Sequence, residues 1–182
     1  MANEPILVAT QIPWNSVITA CSGITGAFGG AFLANRFAEK RWLKQIEHER
    51  EKEERALMRS KGEEAYKLMR RWEKELFFFN SSRIAYLQGN IQKNEMDKNI
   101  NDKVNASTHG ELKVLIDLYF DQLNEKLEAI HKQVLKVNTI FFESHNQIPA
   151  YPQSQVMAQE CAVYERLVEQ FFRSLKNKVK NI

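Results

Sequence analysis

The residues of this chain best suited to chemistry are four histidines, two cysteines and a cluster of glycines. His48, His109, His131 and His145 fall into neither the His-Glu-x-x-His pattern nor a paired Cys/His spacing, so no metal site is expected. Cys21 and Cys161 lie too far apart in sequence to suggest a disulfide framework or a ligand pair, which fits a reducing compartment, and no histidine adjoins Cys161 in sequence to serve as its base. Four of the seven glycines sit in the stretch SGITGAFGGAFLAN, residues 22–35. A phosphate-cradling loop needs Gly-x-x-x-x-Gly-Lys-Ser/Thr, or Gly-x-Gly-x-x-Gly after a strand, and neither pattern is present. The expectation is a protein that is not an enzyme, with no catalytic residue, no cofactor and no small-molecule substrate.

One spacing supplies the enzymatic alternative. Arg41 and His48 form an Arg-x-x-x-x-x-x-His pattern, and in this eight-residue stretch the chain resembles the HEPN-type helical ribonucleases. The resemblance implies an all-helical bundle, here tethered to a membrane, in which Arg41 and His48 cleave RNA.

The glycines have a different use if the segment that carries them is a membrane span. Between Glu4 and Arg36 there is no Asp, Glu, Lys or Arg, and about 20 helical residues cover the hydrocarbon core of a bilayer. Pro13, Asn15 and Ser16 supply a start signal. Trp14 and Trp42 would stand roughly 42 Å apart on a continuous helix, close to the separation of the two headgroup layers, as interfacial anchors do. Ser22, Gly26, Gly30 and Ala34 recur at every fourth position, with Thr19, Gly23, Ala27 and Ala31 as an adjoining row. Small side chains so spaced let helix backbones approach closely in lipid, where glycine carries less of the penalty it has in water. Two adjoining rows make a face broad enough to meet more than one neighbour, so a homo-oligomer is expected. The polar groups available to line a pore are Thr19, Ser22 and Thr25, with Asn15 and Asn35 at the ends.

Arg36, Lys40, Arg41 and Lys44 follow the apolar run at once. They are on the wrong side for a secretory leader, and by the positive-inside rule they hold the C-terminal side in the cytoplasm, in reach of anionic headgroups. The expected topology is an inner-membrane protein with its N-terminus outside and its bulk cytoplasmic. Formal charge is only +3, from 26 Lys/Arg against 23 Asp/Glu, so nothing global points to nucleic acid.

The elements that must carry these features read as helices. No proline occurs from Trp14 to Ile148, and strand-like alternation is absent. Residues 1–13 are read as a short tail, 14–37 as the span, 38–66 as a charged stalk and 67–182 as a helical bundle. The stalk contains EHEREKEER, residues 47–55, a solvated or coiled-coil stretch laced by ion pairs. Breaks are expected at residues 80–82, 107–110 and 146–152, which leaves a helix over about 82–106. The strongest stripe is Leu112, Ile116, Tyr119, Leu123, Leu127, Ile130, Val134, Val137 and Phe141, read as one helix with Thr108 and Glu111 as its capping box. A last helix carries Val156, Tyr164, Leu167, Phe171 and Leu175 and ends in a basic tail.

The fold class expected is therefore all-α: one N-terminal transmembrane helix, a charged stalk and a cytoplasmic antiparallel bundle. The arrangement resembles small bacterial proteins of that build, some of which lie beside phage-defence or toxin genes. That likeness implies a self-associating scaffold or a membrane-permeabilising effector, with a cytoplasmic protein partner. A soluble oligomeric bundle that binds a protein partner is the remaining alternative.

Overall fold

The computed structural model describes residues 13–146 and 148–181. They form five α-helices and one 3₁₀ turn: α1 Trp14–Leu87, α2 Lys93–Lys103, α3 Thr108–Tyr119, the turn Asp121–Leu123, α4 Asn124–Ser144 and α5 Tyr151–Lys180. No strand occurs among the described residues, and the chain is all-α. The chain divides into two compact units, the first ending at Glu53 and the second running from Glu54. The tail expected over residues 1–13 lies outside the described residues except for Pro13, and so does the side chain of Trp14.

In the first unit every described side chain is exposed, from Pro13 to Glu53. Among the described residues no helix is long and apolar enough to cross a membrane. The glycines, Thr19, Ser22 and Thr25 dilute the apolar side chains of this stretch, so it falls short of the hydrophobicity of a leucine-rich span.

The second unit is a helical bundle built on two neighbouring cores. The larger joins Ala65, Met69 and Trp72 of α1 to Leu112 and Ile116 of α3, Leu127 and Ile130 of α4, and Tyr164, Val168 and Phe171 of α5. The smaller gathers Leu87, Met96, Val137, Phe141, Ala150 and Met157. Residues 54–66, read from sequence as stalk, belong to this unit, and Gly62 and Ala65 are buried in it.

Three expected boundaries move, each for a local reason. The helix does not break at residues 80–82: Asn80 and Ser82 are buried, and burial outweighs the weak helix preference of Asn and Ser. It ends instead at Gly89, whose φ of +74° suits glycine alone. There the Asn90 N–H donates to the Ala85 carbonyl at 2.9 Å and the Gly89 N–H to that of Tyr86 at 2.9 Å, a Schellman closure. Residues 82–87 therefore finish α1, and α2 begins only at Lys93.

The long stripe from Leu112 to Phe141 is two helices rather than one. Phe120 leaves helical geometry at φ −140° and ψ 45°, and Asp121 Oδ1 accepts the Gln122 N–H at 2.8 Å, a side-chain competitor to the helix ladder. Thr108 does not cap α3 either. The capping position is Ser107, whose hydroxyl donates to Glu111 Oε1 at 2.6 Å, while the Thr108 hydroxyl donates to buried Glu75 at 3.0 Å.

At Gly62 the backbone of α1 meets α5 closely: an added Cβ would overlap the Val179 side chain. Gly62→Ala is expected to destabilise the bundle by about 1 kcal/mol net, since overpacking costs about 1–3 kcal/mol and the gain in helix propensity returns about 1. Thermal unfolding of the full chain checks this. The double variant with Val179→Ala should recover most of the loss, and a Gly62→Ala chain as stable as the parent refutes the account.

Candidate functional site

The small-residue face is placed by α1. Because the chain is helical throughout this stretch, positions four apart share a face, so Ser22, Gly26, Gly30 and Ala34 line up beside Gly23, Ala27 and Ala31. Nothing lies within 4 Å of a Cβ built on Gly23, Gly26, Gly29 or Gly30. Beside them Phe28, Phe32, Leu33 and Phe37 are exposed, Phe28 to 75%. The hydroxyl groups turn back on their own helix. Thr19 donates to the Asn15 carbonyl at 2.8 Å, Ser22 to that of Ile18 at 2.9 Å, and Thr25 to that of Cys21 at 2.7 Å.

Trp42 is exposed on the same helix, as are Arg36, Lys40, Arg41 and Lys44. Arg36, Lys40 and Lys44 recur at fours and share one face. Arg41 and His48 are both exposed, two turns apart on α1. Of the long stripe, Leu112, Ile116, Leu123, Leu127, Ile130, Val137 and Phe141 are buried, and Tyr119 and Val134 are half-buried against the larger core.

The bundle brings together groups that sequence spacing does not connect. The rings of His109 and His131 stack at 5.1 Å between centroids, and His109 also meets Trp72 at 4.5 Å. Burial, then the neighbouring His131 and Lys113, push the His109 pKa down, so this imidazole stays neutral at physiological pH. No group of three or more His, Cys, Asp or Glu side chains placed to hold a metal ion occurs among the described residues.

Arg83 is buried, with no carboxylate paired to it among the described residues. Its Nη1 donates to Asn138 Oδ1 at 2.6 Å, and its guanidinium lies 3.7 Å from the Phe79 ring centroid and 4.4 Å from that of Phe141. Burial lowers its pKa to about 10, which leaves it charged at neutral pH, held by ring faces rather than by an anion. Sequence reading missed it because the helix was expected to end just before it. Burial likewise raises the Cys161 pKa to about 11, the opposite of an activated nucleophile, and pushes the Tyr164 phenol upward.

No protein-family model matches the chain, no curated protein matches its sequence and no solved structure matches its fold. Function therefore has to be argued from these groups. They include a helix face of exposed apolar side chains, a basic cluster beside it and a bundle in which Glu75, Arg83 and Tyr164 are buried.

Proposed function

We propose that this chain is a single-pass inner-membrane protein that associates with copies of itself through residues 19–34 and works as a scaffold rather than an enzyme. The observation that carries this reading is the uncovered face: four glycines with open space around them and large apolar side chains fully presented, on a stretch free of acidic and basic residues up to Arg36. In water such a helix would expose apolar area at roughly 25 cal/mol per Å² with nothing to offset it. In lipid the apolar side chains are solvated, and close backbone contact between copies satisfies the glycine face.

The hydroxyl bonds support the same environment. A bilayer supplies no water to polar groups, so each must be satisfied within the protein, as Thr19, Ser22 and Thr25 are by their own helix carbonyls. These hydroxyls keep acceptor lone pairs for water, but three of them are a sparse lining for a water-filled pore. That favours the scaffold over the permeabilising effector of a defence or toxin system. Its modest apolarity also favours clustered spans over a lone one. Arg36, Lys40, Arg41 and Lys44 then set the N-out, C-in orientation and meet anionic headgroups, and the bundle offers its surface to a cytoplasmic protein partner.

The test is extraction of the full-length protein in detergent and determination of particle mass with and without residues 1–35. A defined oligomer that falls to monomers without them is the expected result. Release of the protein from membranes by carbonate would refute the span, and an unchanged oligomer in the truncated chain would move assembly to the bundle.

A further inference from the structure

The bundle carries a cluster of positive charge, only partly offset by carboxylates, in a concavity separate from the uncovered glycine face. Helix α1 presents Arg70, Lys74 and Phe78 four residues apart, with Arg71 and Glu75 on the next row, and Lys103 closes the site from the last turn of α2. The open concavity they line is about 630 Å³, room enough for a small molecule.

The charges in it do not cancel. Lys103 Nζ lies 4.4 Å and Lys74 Nζ 6.0 Å from the centroid of the Phe78 ring, and neither ammonium has an ion-pair partner among the described residues. Arg71 is paired with Glu75 through Nε at 3.8 Å, an ion pair too long for a hydrogen bond that leaves the rest of its exposed guanidinium available. Glu75 is the one carboxylate in the lining, and its Oε1 already accepts the Thr108 hydroxyl at 3.0 Å. Arg70 is engaged elsewhere, donating to Glu73 at 2.8 Å and lying 4.0 Å from the Phe172 ring centroid, so it forms a fixed wall. Arg71, Lys74 and Lys103 thus share one space with a single carboxylate, whose charge offsets one of the three and whose Oε2 is buried without a hydrogen-bond partner. The remaining positive charge, on exposed side chains, favours an anion in the concavity.

We propose that this concavity binds a phosphate-bearing small molecule through Arg71, Lys74 and Lys103. A guanidinium fork fits two phosphate oxygens, and two ammonium groups add point charges that suit a dianion. The Phe78 ring and the lysine stems give the organic part of the ligand an apolar wall. A free nucleotide or sugar phosphate and the phosphate of a lipid headgroup share this chemistry. The concave shape favours either over an extended nucleic-acid strand, which needs a groove that tracks many phosphates.

The test uses the full chain in an uncharged detergent, titrated by calorimetry with inorganic pyrophosphate and with ADP, and in a second arm vesicles containing phosphatidic acid. Saturable binding that weakens at least tenfold in Lys103→Glu and in Arg71→Gln, but not in Lys132→Glu, is expected. The last makes the same charge change at an exposed position of α4. Lys103 is exposed at a helix end, so its replacement leaves the core intact, which circular dichroism verifies. Loss in the ADP arm assigns the site to a soluble ligand, and loss in the vesicle arm alone assigns it to a headgroup. The proposal is overturned if none of the three probes binds saturably up to millimolar concentration, or if all three variants bind alike. None of these outcomes depends on the span, since the concavity lies wholly within the second unit.

Discussion

Replacing Gly26 and Gly30 together by leucine is expected to disperse the assembly while leaving the chain itself intact. Apart from the local helix backbone, nothing lies within 4 Å of a Cβ built at either position, so a side chain there starts into open space. Leucine is also the better helix former by nearly 1 kcal/mol at each site, and it makes the segment more apolar. Membrane retention should therefore hold or increase. What changes is the distance at which two backbones can approach, because leucine fills the space that a small-residue face leaves for its neighbour. Association should weaken by tenfold or more, about 1.4 kcal/mol, read as particle mass against detergent dilution. If any ion leakage accompanies expression of the parent protein, this variant should abolish it. An assembly of unchanged mass would show that the glycine face makes no contact between copies, and unchanged leakage would sink a pore built on that face.

The second large effect is on the bundle. Phe171 is fully buried in the larger core, and Phe171→Ala should cost about 3–5 kcal/mol, because the lost transfer energy is joined by a cavity that rigid helices do not close. Small domains are stable by only about 5–15 kcal/mol, so a large part of the margin goes with this one ring. The expected fall in Tm is on the order of 10–20 °C. Val156→Ala on the same helix should change stability by less than about 0.5 kcal/mol, since Val156 is 45% exposed. Equal effects of the two substitutions would contradict the burial pattern.

That pair of residues marks the limit of reading the chain by period. Val156 and Phe171 both belong to the apolar pattern of the last helix, yet only one is in the core. A stripe at threes and fours identifies a helix face, whereas the partners brought against that face decide which part of it is covered. The break after Tyr119 has a related origin. The repeat from Leu112 to Phe141 continues through Phe120–Leu123 almost in phase, so a compact turn there leaves no mark on the periodicity. The same reasoning explains why Asn80 and Ser82, residues typical of helix ends, lie buried inside α1.

The sequence alone determined that the chain is helical, because proline is absent over its long middle and apolar residues recur at helical spacing. It also determined which stretch lacks acidic and basic residues, where the small residues align and where the basic residues follow. These are properties of neighbours along one helix, and backbone geometry converts them directly into faces. Tertiary structure alone decided that Arg83 sits among phenylalanine rings, that His109 stacks on His131, and that Lys103 comes to the same ring as Lys74. Each of these needs residues on different helices, as Arg83 needs Phe141 of α4 beside Phe79 of its own helix. Their distances depend on how the helices pack, a quantity to which no local spacing in the chain corresponds.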